Sequence, residues 1–164
     1  KYGMAVEEQS AGQRNKEPYN RFISMNFMIC RDAFLKVRFD ETFHLGYEDT
    51  LFGMQLEQAG VEILHIDNPV YHLVEENSEQ FLMKIRRAVR NLDGHIEQMH
   101  SHVKLLRWYA CVKRLGMAPL AAFLFRQIEK RLVSNLTSQK PSLKLFAFYK
   151  LGYLCNFLSQ KKPD

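Results

Sequence analysis

Two adjacent acidic residues, Glu48 and Asp49, are the first candidates for chemistry in this sequence. They open a segment, residues 47–60, in which apolar side chains recur at helical spacing and which ends at Gly60. A carboxylate at the start of a helix can serve catalysis, or it can cap the helix and face the positive end of its dipole. The position alone favours the cap, so a catalytic role needs support from the surrounding residues.

A few other side chains could bind a substrate or a metal ion. Asn26 interrupts an apolar run, where its amide would either bond a substrate or satisfy neighbouring backbone groups. His72 lies at the end of a predicted strand, a place where a lone histidine is more often structural, and His65 is expected to pack or to face solvent. The usual spacing of zinc ligands is not found in the three histidines of the second half, His95, His100 and His102.

The elements that would position these residues belong to the first half of the chain. Residues 22–30 form an apolar run typical of a buried strand, and residues 61–66 and 70–73 favour two further strands. The helix over residues 47–60 lies between them. Strand, helix and strand in this order predict an α/β (or α+β) arrangement over residues 20–75, and we place the domain that contains it at residues 1–76.

Residues 77–164 are expected to be a helical extension, which would make the chain mostly helical overall. Apolar positions keep helical spacing over residues 78–115, with breaks predicted at Gly94 and Gly116. Further helices are predicted from about residue 120 to 136 and from residue 141 or 142 to 158.

The net charge of +5 hides an asymmetry between the two halves. Residues 1–80 hold 7 Lys/Arg and 14 Asp/Glu, a balance of −7, whereas residues 81–164 hold 16 and 4, a balance of +12. A basic half favours an anionic partner, either nucleic acid or anionic lipid head groups, although a solvated helical surface explains it equally well. The acidic first half and the lack of a recognition motif argue against nucleic acid.

The basic residues of the second half lie near the aromatic residues Trp108 and Tyr109. Such a surface would suit peripheral contact with an anionic membrane, although aromatic residues at helical spacing more often form contacts between helices. The basic residues concerned are Arg86, Arg87, Arg90, Lys104, Arg107, Lys113 and Arg114.

Composition and cysteine content point to a globular protein of a reducing compartment. The chain is 46% hydrophobic and 25% charged, which is ordinary for a folded domain. Its three cysteines, Cys30, Cys111 and Cys155, lie far apart in apolar surroundings and are expected to be buried free thiols. We find no secretory signal, and because the chain begins at Lys1 rather than Met, we expect it to be a fragment. These features predict a cytoplasmic location, with the inner face of the membrane as the alternative.

Several short motifs follow one another in a set order: Asn26, then Arg31, then Phe39-Asp40-Glu41, then Glu48-Asp49 at a helix start, and finally His72. This ordered set resembles the second half of family 2 glycosyltransferases. The Glu-Asp pair alone would be a weak signal, but the ordered set over roughly residues 14–80 is fairly specific. The resemblance implies a partial GT-A domain of the bacterial type, with polysaccharide biosynthesis as the pathway.

The resemblance also implies roles for these residues. Asp49 would be the general base that deprotonates an acceptor hydroxyl, and Glu48 would orient the acceptor or cap the helix. Asn26 and Arg31 would bind the acceptor, a glycan or a lipid-linked sugar. His72 would help to hold a divalent metal ion, Mn²⁺ or Mg²⁺, that bridges the diphosphate of a nucleotide-sugar donor.

One element of the family pattern is missing, because the sequence contains no Asp-any-Asp motif and no β-α-β nucleotide-binding start. We therefore expect the fragment alone to bind no metal and to be inactive, and we expect activity from a full-length enzyme. An exposed apolar face would invite self-association into a homo-oligomer. The alternative is a non-catalytic interaction module with a basic helical surface for a membrane or nucleic acid.

Overall fold

The structure is a computed structural model of the 164-residue chain, and it describes residues 9–41, 43, 46–71, 73 and 76–161. Helices account for 61% of these residues, and no strand or sheet occurs among them. The chain divides into two compact units, which we call unit 1 (residues 1–75) and unit 2 (residues 76–164).

The helices of unit 1 are short, with one exception. In the described part of unit 1 the α-helices are α1 (Ala11–Arg14), α2 (Arg31–Lys36) and α3 (Glu48–Gln58), and a 3₁₀ helix at Tyr19–Arg21 lies between α1 and α2. Helix α3 ends as predicted: Gly60 takes a left-handed conformation, and the Val61 N–H bonds the Leu56 carbonyl oxygen at 3.0 Å.

The core of unit 1 is a cluster of phenylalanines around α3. Phe52 is fully buried and its ring stacks on that of Phe39, with ring centroids 4.1 Å apart. The ring centroids of Phe22 and Phe34 lie 5.3 Å and 6.3 Å from that of Phe52. Non-polar rings from four separate segments therefore meet on one helix, and their burial stabilises the unit.

The predicted α/β fold is wrong for the described residues. Residues 22–30 and 61–71 are extended in part, but neither segment pairs with a neighbouring strand. Buried and exposed side chains do alternate in residues 61–66 as predicted: Val61 and Ile63 pack against the core, whereas Leu64 and Ile66 are exposed. A strand also needs a neighbour that completes its hydrogen-bond ladder, and an apolar or alternating sequence cannot supply one.

Side chains take the place of that ladder in residues 65–68. The Asn15 amide donates a hydrogen bond to the His65 carbonyl oxygen and accepts one from the His65 N–H, both at 2.8 Å. Arg14 donates to the Ile66 carbonyl oxygen at 3.0 Å, and Asp67 accepts the Ala11 N–H at 2.8 Å. Hydrogen bonds therefore connect this segment to α1 and not to a sheet. The expected fold, a partial GT-A domain, is wrong for the described residues.

Unit 2 is a bundle of helices, as predicted. Its five described helices are α4 (Ser78–Asn91), α5 (Ile96–Met99), α6 (Lys104–Arg114), α7 (Ala118–Leu136) and α8 (Leu143–Gln160). The predicted breaks at Gly94 and Gly116 are confirmed, since both glycines have positive φ angles. Helices α7 and α8 form a hairpin, and α4 and α6 also pack on α8.

Close packing in unit 2 depends on Gly152. A Cβ atom at this position would lie 2.7 Å from the Phe125 ring, so the absence of a side chain lets α8 approach α7 closely. Phe125 and Tyr149 are completely buried at this crossing, with ring centroids 5.6 Å apart. Aromatic residues at helical spacing therefore form the core between helices, which was the simpler interpretation of the sequence.

The cysteines follow the prediction only in part. All three are free, and Cys155 is buried in unit 2, but Cys111 is half-buried and Cys30 is exposed. The expectation for Cys30 is wrong because residues 22–30 do not form a strand buried on both faces. Cys30 precedes the first residue of α2 instead.

Candidate functional site

Glu48 and Asp49 occupy the first turn of α3, as the sequence predicts. The residue before them, Tyr47, takes a left-handed conformation with φ = 71°, and no side chain caps the helix. The positive end of the helix dipole therefore faces two carboxylates, an arrangement that stabilises negative charge.

One carboxylate oxygen of Asp49 is held and the other is not. Oδ2 accepts a hydrogen bond from the Ser24 N–H at 3.1 Å, which fixes the orientation of the side chain. Oδ1 is buried from solvent and has no hydrogen-bond partner among the described residues, and the same is true of Glu48 Oε2. A buried acceptor without a partner costs roughly 1–3 kcal/mol, so two of them side by side call for an explanation.

Neighbouring residues of α3 hold the backbone that binds Asp49. Phe52 contacts Phe22, two residues before Ser24, and so fixes the turn that carries the Ser24 N–H. Gly53 lies against the Tyr19 carbonyl oxygen, and any side chain at Gly53 would overlap that oxygen. Neither Ser24 nor Gly53 could be predicted from the sequence, because their contacts join segments 25 or more residues apart and no local pattern marks them.

Asn26 lies close to this turn in the chain, but its amide is already used. Its Nδ2 donates to the Asn68 carbonyl oxygen at 3.0 Å, which favours the structural alternative considered for this residue. Asn26 is exposed and does not lie in a buried strand, so that part of the prediction is wrong. Arg31 is also exposed, at the first position of α2, and no contact within the described part of the chain connects it to Glu48 or Asp49.

The histidines are mostly bound to backbone or neighbouring groups. His65 Nε2 lies 2.9 Å from the Pro18 carbonyl oxygen, in keeping with the expected packing role. His100 Nδ1 lies 2.7 Å from the Glu97 carbonyl oxygen. The predicted metal ligand His72 lies outside the described residues.

A divalent metal ion, which the resemblance implies, finds no matching ligand set in the described part of the chain. Over those residues, no three His, Cys, Asp or Glu side chains come together in a group that could hold a metal. We therefore derive no chemical step through a metal ion.

Two of the basic residues singled out in unit 2 are used to pack helices together. Arg86 donates to the Tyr149 hydroxyl at 2.5 Å and to Glu129 at 2.9 Å. Arg90 donates to the Tyr153 hydroxyl at 2.6 Å. Burial raises the pKa of Tyr149, and the Arg86 guanidinium opposes that increase. These two arginines therefore join α4 to α8, although Arg90 remains exposed.

The remaining basic residues of α6 are exposed. Lys104, Arg107, Lys113 and Arg114 face solvent together with Trp108, whose side chain is 57% exposed, whereas Tyr109 is buried. None of the described helices is both long enough and apolar enough to cross a membrane.

Comparisons of the chain with protein-family models, with curated proteins and with solved structures gave no match. The resemblance to family 2 glycosyltransferases therefore stays a prediction from the ordered motifs.

Proposed function

We propose that unit 1 is the acceptor side of a glycosyl-transfer site, with Asp49 as the general base. One observation carries the proposal: the Ser24 N–H orients Asp49 through Oδ2, while its other oxygen, Oδ1, is buried and has no hydrogen-bond partner in the described part of the chain. A carboxylate with a fixed orientation and one oxygen available as an acceptor can take up the proton of a substrate hydroxyl. The ordered motifs from Asn26 to Glu48-Asp49 support the same activity.

The chemistry follows from that geometry. As the acceptor oxygen attacks the anomeric carbon of the donor, its proton passes to Asp49 Oδ1. The bond from that carbon to the diphosphate breaks, and the diphosphate leaves with the electron pair. General base catalysis of this kind typically contributes about 10²–10⁴-fold to the rate.

Glu48 and the two proposed acceptor contacts would position the substrate. The unpartnered Oε2 of Glu48 can accept a hydrogen bond from a second hydroxyl of the acceptor sugar. Asn26, whose Nδ2 is bound to the backbone, would offer its carbonyl oxygen, and the exposed Arg31 would offer its guanidinium.

The proposal includes a nucleotide sugar as the donor. A nucleotide sugar would be held by a further part of a larger enzyme, with Mn²⁺ or Mg²⁺ on its diphosphate as the resemblance implies. A glycan or lipid-linked acceptor would suit an enzyme that works at the cytoplasmic face of a membrane.

The test is transfer and donor hydrolysis by the intact enzyme across UDP-sugars with Mn²⁺, compared with its Asp49→Asn variant. Asparagine keeps an acceptor for the Ser24 N–H but cannot take up the proton. We expect kcat to fall about 10²–10⁴-fold at an unchanged melting temperature. Glu62→Gln, which alters an exposed acid of the same unit, is the matched control and should retain full activity.

A non-catalytic interaction module is the second candidate, and a separate observation favours it. Unit 1 exposes several apolar side chains on its extended segments, among them Met28 at 98%, Leu64 at 79% and Tyr71 at 100%. Exposed apolar groups of this kind often mark a surface that another protein covers. If the intact protein neither binds nor hydrolyses any nucleotide sugar, this candidate replaces the first.

A further inference from the structure

The turn between α6 and α7 concentrates exposed apolar side chains. These side chains, which we call the apolar tip, are Leu115 (62% exposed), Met117 (48%), Leu120 (50%), Phe123 (49%) and Leu124 (46%). Leu120, Phe123 and Leu124 are three and four residues apart, so they share one face of α7. The buried Ala122 and Phe125 lie on the opposite face, toward α8. The helix is therefore apolar on both sides over its first two turns, although only one side is covered.

The apolar tip is surrounded by positive charge. Residues 98–128 contain five Lys/Arg and no Asp or Glu. Lys113 and Arg114 directly precede Leu115, and Lys130 and Arg131 are exposed farther along α7. The next acidic residue, Glu129, already forms an ion pair with Arg86. The charge around the tip is thus not neutralised by a neighbouring carboxylate on these two helices.

We propose that the apolar tip and its basic surroundings form a docking surface for an anionic lipid bilayer. The apolar side chains would enter the boundary between head groups and acyl chains, while the basic side chains would lie among the lipid phosphates. Each Lys or Arg near an anionic membrane raises the partition coefficient by about fivefold. Trp108 is exposed on α6, and tryptophan is enriched at membrane interfaces.

Charge decides between lipid and a second copy of the chain. A twofold symmetric contact places the same surface on both subunits, so the basic residues around the tip, Lys113 and Arg114 among them, would enter one interface from both copies. Like charges brought together in this way repel, whereas an anionic bilayer attracts all of them. This inference does not depend on the proposed glycosyl transfer.

The measurement uses the fluorescence of Trp108, the single tryptophan of the chain. We expect its emission to shift to shorter wavelength with vesicles that contain phosphatidylglycerol, but not with phosphatidylcholine alone. Brominated lipids should quench it, and added salt should weaken binding because the Debye length falls. An unchanged spectrum with anionic vesicles, or equal binding to neutral vesicles, would overturn the proposal.

Matched variants separate the apolar and the basic contributions. Leu120→Gln with Phe123→Gln should weaken partitioning by about tenfold or more, whereas Met83→Gln, which alters a side chain 53% exposed on α4, should not. Lys113→Gln with Arg114→Gln should weaken it by about 25-fold. Lys140→Gln with Lys144→Gln removes the same net charge away from the tip and should have a much smaller effect.

Three outcomes of these variants contradict a docking surface at the tip. One is an equal loss of partitioning in the two pairs of charge variants, because binding would then depend on net charge alone. Another is a chain dimer that the Leu120 and Phe123 changes dissociate in analytical ultracentrifugation, which would make the tip a contact between copies. The last is displacement of the protein from vesicles by duplex RNA or DNA through the same tip residues.

Discussion

Unit 1 and unit 2 bury their apolar side chains by different means. In unit 1, one helix of 11 residues carries a phenylalanine cluster, and extended segments are tied to it and to α1 through side chains such as Asn15. In unit 2, helices of 14, 11, 19 and 18 residues pack directly on one another. Most backbone hydrogen bonds of unit 2 are therefore local, whereas the extended parts of unit 1 depend on contacts made by residues far away in the chain.

The difference bears on function as well as on stability. The candidate site lies in unit 1, where the Ser24 N–H orients Asp49, and Asp49 Oδ1 has no hydrogen-bond partner among the residues that the structure describes. Proteins often tolerate such unsatisfied groups where a ligand completes them. The proposed docking surface lies in unit 2, in the turn between α6 and α7 and on the first two turns of α7. Each of the following predictions changes one unit and uses the other as its reference.

The largest effect is expected from Phe52→Ala. The fully buried ring contacts four other phenylalanines, so its removal should lower the free energy of unfolding of unit 1 by about 3–5 kcal/mol. Hydrogen–deuterium exchange, resolved by peptide, should show faster exchange across residues 9–71 and little change in α7 and α8. Met28→Ala, at a side chain 98% exposed, is the control and should change stability by less than about 0.5 kcal/mol.

The same experiment can refute the comparison. If Phe52→Ala accelerates exchange equally in the peptides of α7 and α8, the two units unfold as one cooperative structure. The difference in how they are built would then have no consequence for their stability.

A pair of glycine substitutions compares how much each unit loses in stability when a close approach is filled. At Gly53 an added methyl group would overlap the Tyr19 backbone carbonyl oxygen, and at Gly152 it would lie 2.7 Å from the side chain of Phe125. A backbone yields less readily than a side chain, so we expect Gly53→Ala to cost about 2–3 kcal/mol and Gly152→Ala about 1–2 kcal/mol. Urea unfolding of both variants measures these values.

Gly12→Ala is the matched control for this pair. An added methyl group at Gly12, in α1, would meet no atom within 4 Å, so the change should be neutral or stabilise by up to about 1 kcal/mol. Equal destabilisation by all three substitutions would show that the loss comes from glycine removal in general and not from close approach.

Local patterns were sufficient to predict α3, the breaks between helices of unit 2 and the position of the acidic pair, but not α1, which lies in a segment expected to be a loop. Acidic residues at its start and Gly60 at its end marked α3, and Gly94 and Gly116 marked the breaks of unit 2, because these signals act within one or two helical turns. The proximity of Glu48 and Asp49 follows from their adjacency in the sequence.

The sheet and the environment of the pair could not be predicted in the same way. Whether residues 61–66 form a strand depends on a partner elsewhere in the chain, and in the structure the amide of Asn15 binds the backbone of His65 instead. The bond from the Ser24 N–H to Asp49 joins residues 25 positions apart. Both outcomes depend on contacts between segments distant in the chain, which no window of a few residues contains.

The smallest expected effect is a pH dependence that belongs to unit 2. Burial raises the pKa of the Cys155 thiol from its ordinary value of 9.0 to about 11. Above pH 9 the unfolded chain loses this proton while the folded chain keeps it, so the native state binds more protons and its stability falls as the pH rises. The stabilisation is complete below about pH 9 and is lost by about pH 11, with an expected size of roughly 1–2 kcal/mol.

Urea unfolding between about pH 8 and pH 11 measures this slope, and Cys155→Val isolates it from the tyrosines, because valine keeps the apolar contact and does not titrate. Burial also raises the pKa of Tyr109 and Tyr149, so the variant should retain a shallower slope of the same sign. Cys30→Ser, at the exposed cysteine of unit 1, should leave the slope unchanged. If Cys155→Val has the slope of the original protein, the thiol is not shielded from solvent, and the packing described for α8 is incorrect at that point.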